Sequence, residues 1–380
     1  MTPPRGPVIV AARRTPVGTS GRSLAAHGAA QLAAPVLADL AETSRAWGLT
    51  AREVVLGNCT GPGGDVARVA SLAAGLGGEV PALTVDRQCA SGLAAVGVAV
   101  DTLRARRGLV LAGGTESASR APWRYWPPED GSAPRRYERA PFAPTPDQDP
   151  DMGLAADLLA EERGVSRARQ DAYAARSHAR AAQARADGRF VAEIVPVGGV
   201  ALDDRPRAGL TEDRLARLRP AFRAEGTVTA GNSCGINDGA AAVAVVDGAT
   251  WAALGVPGLE VLAVETTAGD TRRPGIALVP AVREALTTAG TTLDAVDAVE
   301  LNEAFAGQVL ACCDELGLDP ERVCPDGGAL ALGHPWGASG AILLVRLFTR
   351  LVREGRGGIG LAAIAAGGGQ GVAMVVRACP

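Results

Sequence analysis

The chain has 380 residues and a formal net charge of −3, and 47% of its residues are hydrophobic while only 3% are aromatic. This length suits two or three domain-sized units with large buried cores. The small net charge, without long runs of like charge, argues against nucleic acid or an anionic membrane as a partner.

The first part of the chain alternates predicted strands and helices. Residues 7–12 (PVIVAA) form a short apolar run that indicates a buried strand. Residues 29–47 have the pattern of a helix, and residues 53–57 indicate the next strand. Alternation of this kind predicts an α/β fold whose sheet is mostly parallel and covered by helices on both faces.

The composition changes at about Arg120. Residues 120–150 are rich in proline and charge, which predicts an inserted segment on the surface rather than a core strand or a long helix. Two amphipathic helices are predicted at residues 153–163 and 167–187, followed by a strand at residues 193–197. A second α/β stretch begins near Gly239 and continues to the end.

The two α/β stretches share a weak internal repeat. Each has a predicted strand, a turn with a chemically reactive residue, an alanine-rich helix, and then a strand that ends in glycines. The first copy is TVDRQCASGLAAVGVAV with LVLAGGTES, and the second is LALGHPWGASGAILLVRL with GLAAIAAGGGQG. The repeat predicts two similar halves packed against each other.

The sequence shows neither a membrane span nor an export signal, because no uninterrupted apolar run reaches about 18 residues and the N-terminus lacks an apolar leader. Its seven cysteines form no CxxC pair, which indicates reduced thiols rather than a disulfide framework. We therefore expect a soluble, cytoplasmic protein, and we predict no metal site.

Cys89 is the strongest candidate for a nucleophile. It lies between an apolar strand and a helix, in a turn that resembles a nucleophile elbow. The unpaired N–H groups and the dipole at the start of that helix are expected to favour a thiolate. The small residues on both sides leave room for an acyl group.

His334 is the histidine best placed for chemistry. Of the other two, His27 lies in an early loop, and His178 lies in the middle of a polar helix and is expected to be solvated. His334 occupies a predicted strand-to-helix turn, where its imidazole can take a thiol proton or donate a hydrogen bond to a thioester oxygen.

A third group of candidates follows the predicted strand that ends near residue 301. Asn302 can hold a water that completes an oxyanion site. Glu303 can act as a base or cap a helix. The glycine run from Gly367 lacks the lysine of a phosphate-binding loop, so it is better suited to bring backbone N–H groups close to a ligand.

Eight segments in order resemble the signatures of the thiolase family, and together they cover about residues 8–376. They are RTPVG, DRQCASGL, AGGTES, DMGLAAD, GTVTAGNSCGINDGAAA, VELNEAFA, GGALALGHPWGASG and GGGQG. The resemblance implies a five-layered αβαβα fold made of two similar βαβαβαββ halves. It divides the chain into an N-terminal half (residues 1–117), an inserted CoA-binding loop domain that returns to that half (118–238) and a C-terminal half (239–380).

The resemblance also implies the catalytic roles. Cys89 accepts the acyl group as a thioester, and His334 activates it. His334 and a water held by Asn302 stabilise the enolate oxygen of a second acyl-CoA. The N–H groups of Cys89 and Gly367 form the oxyanion hole.

By the same resemblance, the substrates are CoA thioesters, no cofactor is bound permanently, and the enzyme is a homodimer or homotetramer. Met152 and Phe305 are expected to border the acyl pocket. The full set of residues matched to CoA binding is Met152, Arg207, Ala221, Phe222, Ala230, Ser233, Cys234 and Phe305.

The sequence departs from the family at the ligand. Ala365 occupies the place of a second cysteine that moves the α-proton, and loss of a general base typically costs about 10²–10⁴ in rate. Asp151 replaces a histidine, Cys234 replaces a serine, and Trp336 is larger than the usual aliphatic residue. Residues 271–275 (TRRPG) lack a methionine that lines the pocket. These changes indicate an altered acyl pocket.

The missing cysteine leaves three functional hypotheses. In the first, the enzyme forms or cleaves a carbon–carbon bond β to a CoA thioester, and His334 or Glu303 replaces the lost base. In the second, Cys89 is acylated but the next step is decarboxylative condensation or simple acyl transfer to another nucleophile. In the third, the chain is a degenerate CoA-binding subunit of the thiolase type.

Overall fold

The structure, a computed structural model, describes residues 6–137 and 139–380. Within these ranges the strands are β1 (Val8–Arg14), β2 (Gly18–Thr19), β3 (Ala51–Gly57), β4 (Ala82–Val85), β5 (Leu109–Ser117), β6 (Arg124–Trp126), β7 (Arg135–Tyr137), β8 (Asn237–Val246), β9 (Gly258–Ala268), β10 (Ala298–Leu301), β11 (Ile359–Ala366) and β12 (Gln370–Cys379). The α-helices are α1 (Ala29–Ala46), α2 (Val66–Ala73), α3 (Ser91–Ala105), α4 (Met152–Glu162), α5 (Arg167–Ala186), α6 (Glu212–Ala216), α7 (Gly248–Leu254), α8 (Leu278–Ala289), α9 (Ala306–Leu316), α10 (Ala329–Leu332) and α11 (Trp336–Phe348).

One large sheet has the order β4-β3-β5-β8-β1-β9-β12-β11-β10, with β2 beside β8. Only β3 with β4, β3 with β5, and β10 with β11 are parallel pairs among the described strands. The prediction of a mostly parallel sheet is therefore wrong. The reason is that β8 returns antiparallel between β1 and β5 after a long connection, and β12 pairs antiparallel with both β11 and β9.

Most predicted elements are confirmed, with ends shifted by one or two residues. The predicted strand at residues 193–197 is an exception, because Ile194 makes only a single bridge to Arg14. Glu193 is held there instead by buried ion pairs to Arg14 (2.8 Å) and Arg346. Arg346 also pairs with Asp326 at 2.5 Å. This network attaches the segment before β8 to the core of both halves.

The proline-rich segment lies on the surface, as predicted. Its strands β6 and β7 form a separate two-stranded sheet. Trp126 stacks on Tyr137 with ring centroids 4.8 Å apart, and Trp123 is 73% exposed. Among the described residues, the connection from β5 to β8 adds no strand to the large sheet. It contributes helices and loops that cover one end of that sheet.

Helices α3 and α11 form the middle of the molecule. Their apolar side chains pack between β3, β5 and β8 on one side and β11 and β12 on the other. The α1 and α2 helices cover the outer face of the first strand group, and α8 and α9 cover that of the second. This gives the five layers αβαβα, which confirms the predicted fold class.

Glycines let the two central helices approach closely. A Cβ atom at Gly92 would lie 2.7 Å from the carbonyl oxygen of Gly337. A Cβ atom at Gly340 would lie 2.4 Å from the backbone nitrogen of Leu93. Larger residues cannot occupy these positions without moving the helices apart. The contact brings together the turns that precede α3 and α11, where the candidate catalytic residues lie.

Candidate active site

Cys89 lies in a tight turn between β4 and α3. Gln88 has a φ of +48°, in the left-handed region that non-glycine residues rarely adopt. The hydroxyl of Ser91 holds this turn, because its oxygen donates to the carbonyl of Gln88 at 2.6 Å and accepts from the N–H of Arg87 at 2.7 Å. The turn therefore fixes the backbone on both sides of the nucleophile, as the elbow-like sequence predicts.

The thiol of Cys89 is protonated at neutral pH. Burial raises its pKa to about 12, while the N–H groups of Gly367 and of Cys89 itself act in the opposite direction. The expectation that the helix terminus would favour a thiolate is therefore wrong, because desolvation outweighs those donors. The same two N–H groups are the ones that the family resemblance assigns to the oxyanion hole.

His334 is buried and neutral. Burial lowers its pKa to about 4. Its Nδ1 lies 2.6 Å from the hydroxyl oxygen of Ser339, and its backbone N–H donates to Oδ1 of Asn237 at 2.9 Å. Its Nε2 has no hydrogen-bond partner among the described residues. When Nδ1–H donates to Ser339, Nε2 carries a free lone pair that can accept a proton.

The turn at His334 differs from its prediction in one respect. Residues 329–332 form the short helix α10 rather than a strand. Gly333, which joins α10 to the turn, has a φ of +116°, and a Cβ atom there would lie 2.6 Å from the side-chain amide carbon of Asn237. Glycine is therefore required for the chain to pass Asn237.

One cavity of about 120 Å³ contains the candidate catalytic residues. Cys89, His334, Asn302 and Gly367 all line it. The rest of its lining is mainly small or apolar, and consists of Met152, Ala155, Ala156, Cys234, Pro274, Gly275, Ala304, Phe305, Gln308, Trp336, Ala365 and Ala366. Its ionisable lining side chains among the described residues are two thiols and one imidazole. The described part of the wall thus has neither a carboxylate nor a guanidinium.

The residues matched to CoA binding fall into two groups. Met152, Cys234 and Phe305 line the cavity. The other five do not. They are Arg207, Ala221, Phe222, Ala230 and Ser233.

Two of these five have specific contacts. Phe222 is exposed and contacts the edge of Phe305, with ring centroids 6.1 Å apart. The Ser233 hydroxyl donates to the carbonyl of Thr229 at 2.7 Å, so it stabilises its own loop. Arg207, Ala221 and Ala230 are exposed.

Glu303 is not positioned to act as a base. It is fully buried and accepts hydrogen bonds from Tyr173 Oη at 2.9 Å, Ser177 Oγ at 2.7 Å and the N–H of Leu330 at 3.2 Å. It does not line the cavity. The prediction of an auxiliary base at Glu303 therefore does not fit the structure, since three donors occupy its oxygens away from the substrate space.

The other two histidines lie outside the cavity. His27 is in the loop before α1, as predicted. His178 is only 2% exposed, so the expectation that it is solvated is wrong. Burial, and then the positive charges of Arg205 and Arg207, lower its pKa to about 4.

Sequence reasoning missed several residues that position the site. Glu116 accepts hydrogen bonds from the N–H groups of Gly337 (3.0 Å) and Cys59 (3.1 Å), and so connects the start of α11 to the loop after β3. The Phe142 ring covers Gly367, because a Cβ atom at that glycine would lie 2.3 Å from the ring. Ser339 and Asn237 hold His334. Most of these residues fall within the family-like segments, but only tertiary packing shows their function.

The changed residue Asp151 has a local structural role. Its carboxylate caps α4 by accepting hydrogen bonds from the N–H groups of Gly153 (2.9 Å) and Leu154 (3.2 Å).

Across residues 6–137 and 139–380, no helix has the length and apolarity needed to cross a membrane. In the same residues, no group of three or more His, Cys, Asp or Glu side chains could hold a metal ion.

Comparison with known proteins gives matches over almost the whole chain. A family model for the thiolase N-terminal domain matches residues 7–249, and one for the thiolase C-terminal domain matches residues 257–378. An acetyl-CoA acetyltransferase of Pseudomonas aeruginosa is 42% identical over 97% of this chain and 98% of its own length. A beta-ketoadipyl-CoA thiolase of the same organism is 41% identical with the same coverage. The crystal structure of the Bacillus anthracis acetyl-CoA acetyltransferase matches with a TM-score of 0.91 and 34% identity over 100% of both chains.

Proposed function

The chain belongs to the thiolase family and is an acyl-CoA acyltransferase of the thiolase type, and on that premise we propose that it works through an acyl-Cys89 intermediate. The observation that carries this proposal is the cavity in which Cys89, the free Nε2 of His334 and the Gly367 N–H meet. A nucleophile, a proton acceptor and an oxyanion donor in one apolar space are the parts that acyl transfer requires.

Acylation begins with two neutral groups. Since the Cys89 thiol has a pKa of about 12 and the His334 imidazole one of about 4, a resting thiolate–imidazolium pair is unfavourable. The proton therefore moves to Nε2 as the sulfur attacks the thioester carbonyl. The leaving CoA thiolate then takes the proton from Nε2, and the imidazole is neutral again.

Backbone N–H groups stabilise the charge that develops on the carbonyl oxygen. The N–H groups of Cys89 and Gly367 both point at the Cys89 sulfur in the resting enzyme. A tetrahedral carbon on that sulfur would place its oxyanion within their reach, and loss of one such donor typically costs about 10²–10³ in rate. Gly367 suits this role because a side chain there would collide with the Phe142 ring.

His334 is the base that we assign to the second half of the reaction. Ala365 cannot accept a proton, and Glu303 is buried outside the cavity. The Nε2 of His334 has no hydrogen-bond partner among the described residues, and it is neutral again once CoA has left. It takes the α-proton of the second acyl-CoA, while a water held by Asn302 stabilises the enolate oxygen. The resulting carbanion attacks acyl-Cys89 and forms the carbon–carbon bond as the carbon–sulfur bond breaks, and the released Cys89 thiolate then takes the proton back from Nε2.

The alternatives fit the cavity less well. A carboxylated extender would bring a carboxylate into a space whose described lining has no cationic side chain. An unpaired buried carboxylate is costly, so we expect this cavity to bind a carboxylated extender weakly. A degenerate subunit does not require the free Nε2 beside a nucleophile. Simple acyl transfer to another nucleophile remains compatible with acyl-Cys89 and is an outcome that the test below distinguishes.

We place the CoA part of the substrate along the loops between α4 and β8. Met152, Cys234 and Phe305 border the thioester end, and the exposed Arg207 offers a positive charge to the CoA phosphates. Phe222 presents an exposed ring next to Phe305. The remaining matched residues, Ala221, Ala230 and Ser233, shape this surface rather than contact the thioester.

We also propose a homo-oligomer, either a homodimer or a homotetramer, in the cytoplasm. Strand β4 is at the edge of the sheet, where its backbone groups can pair with another chain. Leu83 on this strand and Val69 and Leu72 on the neighbouring helix α2 are 43%, 50% and 49% exposed. Light scattering on the purified protein measures the oligomeric state, and a monomer would contradict this proposal.

Intact-mass spectrometry and turnover test the main proposal together. The protein is mixed with acetyl-CoA, with acetoacetyl-CoA plus CoA, and with malonyl-CoA, alongside the Cys89→Ala variant. We expect a mass increase of one acyl group in the parent enzyme, none in the variant, and condensation or cleavage without malonyl-CoA. Product formation from malonyl-CoA alone would favour decarboxylation, and acylation without any condensed product would favour simple transfer. No acylation with any substrate would contradict the proposal.

A further inference from the structure

A second, smaller cavity shares Asn302 with the cavity that holds Cys89. Its volume is about 20 Å³, and a cavity needs about 10–15 Å³ to hold one water. The polar residues Glu300, Ser339 and Arg346 also line it. The cavity therefore has the size and the polar partners of a single-water site.

Arg346 gives separate evidence for a bound water. This side chain is 1% exposed, and its two terminal nitrogens pair with Glu193 and Asp326. Its Nε has no partner among the described residues. A buried N–H without an acceptor typically costs about 1–3 kcal/mol. Arg346 lines the small cavity, so a water there could accept this hydrogen bond.

The small cavity is connected to the catalytic base. Ser339 lines the cavity, and its hydroxyl oxygen lies 2.6 Å from Nδ1 of His334. A serine hydroxyl accepts one hydrogen bond while it donates another, so it can pass a proton from one side to the other. One hydrogen bond thus joins His334 to Ser339, and one cavity joins Ser339 to Glu300, so a water in that cavity would complete a path away from the substrate.

Glu300 has the properties of a proton acceptor at the end of this path. Burial raises its pKa to about 8, and the charges of Asp326 and Glu303 act in the same direction. Arg346 and a hydrogen bond with the Cys324 thiol act in the opposite direction. The carboxyl group is therefore near balance between its two protonation states at physiological pH.

We propose that Glu300 accepts and returns the α-proton through a relay formed by Ser339 and His334. This inference rests on the proposed function and identifies what takes over from the missing proton-transfer cysteine at position 365. Glu300 does not touch the substrate, so it acts on the reaction only through His334. The relay keeps the buried imidazole neutral, which matters because an imidazolium is disfavoured in this site.

Each proton that moves in this step has a donor and an acceptor. The α-carbon proton moves to Nε2 of His334 as the Nδ1 proton moves to Ser339 Oγ. The Ser339 proton passes to the water, and a water proton passes to the Glu300 carboxylate. The electron pair of the broken C–H bond forms the enolate, which attacks acyl-Cys89 and releases the Cys89 thiolate. The proton then returns from Glu300 by the same path to the Cys89 sulfur.

Exchange of α-protons in heavy water tests the relay. The parent enzyme and the Glu300→Gln variant are incubated with acetyl-CoA in D₂O, and deuterium in the acetyl group and acylation of Cys89 are both followed by mass spectrometry. We expect Glu300→Gln to lose about 10²-fold in exchange rate, while Cys89 is still acylated. A parent enzyme that is never acylated would contradict the proposed function, whereas equal exchange rates in the two proteins would overturn the relay alone.

The pH profile separates a relay from a structural role. Glu300 must be a carboxylate to accept the proton, so the exchange rate of the parent enzyme should rise with pH up to about 8 and then level off. Glu300→Gln should lose this rise, and Glu300→Asp should restore it. Ser339→Ala should lose exchange as Glu300→Gln does, because it breaks the same path.

Glu303→Gln is the matched control, because Glu303 is equally buried, lies three residues away and lines neither cavity. The charge of Glu303 raises the pKa of Glu300. The Glu303→Gln variant should therefore keep the rise of the exchange rate with pH, and any shift of that rise should be toward lower pH. A Glu300→Gln variant that keeps the rise, or that loses Cys89 acylation as well, would show a structural role and overturn the proposal.

Discussion

The turns that precede the two central helices use different supports for related tasks. The Cys89 turn follows strand β4 and is held by the hydroxyl of Ser91, which bonds to the backbone of Arg87 and Gln88 and also contacts the thiol of Cys59 at 3.6 Å. The His334 turn follows helix α10 and is held by the side chains of Asn237 and Ser339. The Ser91 hydroxyl holds the backbone on both sides of Cys89 and so fixes where this residue lies. Side-chain support at His334 also fixes which ring nitrogen is free, and that determines proton transfer.

Burial shifts the pKa values of Cys89 and His334 in opposite directions. It raises the pKa of Cys89 and lowers that of His334, so both groups are neutral when no substrate is present. The comparison indicates that the enzyme does not store a reactive thiolate. Under the proposed function, proton transfer therefore accompanies the attack on a thioester, which receives the negative charge.

Removing the imidazole should have the largest effect. His334→Gln keeps a polar side chain of similar reach but cannot accept a proton, and we expect kcat/KM to fall by about 10²–10⁴. Stopped-flow or quenched mass spectrometry would measure the rate of Cys89 acylation. Folding of the variant is checked by circular dichroism. Acylation at the parental rate would show that the nucleophile does not depend on His334.

Alkylation of Cys89 by iodoacetamide measures whether this thiol is neutral in the resting enzyme. Only the thiolate reacts, and the Cys89 pKa is about 12. The alkylation rate should therefore rise about tenfold per pH unit, or about a hundredfold from about pH 7 to about pH 9, without a plateau. Peptide mass spectrometry separates Cys89 from the other cysteines. A plateau below about pH 8 would mean that a thiolate is already present in the resting enzyme.

Disturbing the contact between the central helices should have the next largest effect. Gly340→Ala places a Cβ atom 2.4 Å from the backbone nitrogen of Leu93, so α3 and α11 must move apart. We expect a loss of about 1–3 kcal/mol in the free energy of unfolding, together with slower acylation. Gly97→Ala in the partner helix α3 is the control, because it makes the same change where the nearest atom to the added Cβ is a side-chain carbon of Val264 at 3.2 Å. An unchanged denaturation midpoint in Gly340→Ala would contradict the close contact.

The sequence predicted which residues meet more accurately than it predicted their chemical states. Cys89, His334, Asn302 and Gly367 line one cavity, as their family-like segments indicate. The neutral state of Cys89 was missed because burial is a property of the assembled layers. The local features that were visible, a helix terminus and a polar turn, suggest the opposite for Cys89.

Glu300 and Glu303 also show that the sequence does not reveal how a side chain is packed, here for two residues only three positions apart. Both acidic residues occur in one family-like segment, and sequence reasoning selected Glu303. Strand β10 ends at Leu301, between the two glutamates, so Glu300 lies in the strand and Glu303 lies beyond it. Glu303 then meets three hydrogen-bond donors, while Glu300 faces the small cavity. Only the packing of α5, α10 and α11 around β10 separates their roles.

The smallest effect is expected at Cys234, the second thiol of the catalytic cavity. Burial raises its pKa to about 12, and the charge of a Cys89 thiolate acts in the same direction. Cys234→Ser preserves a small polar side chain but cannot act as a base near neutral pH. If the α-proton leaves through His334, kcat for condensation should change by less than about tenfold. A loss of about a hundredfold or more in α-proton exchange, with Cys89 acylation intact, would assign the proton to Cys234 instead. Because both candidates face the same substrate space, this variant and His334→Gln measured side by side determine which of them receives the α-proton.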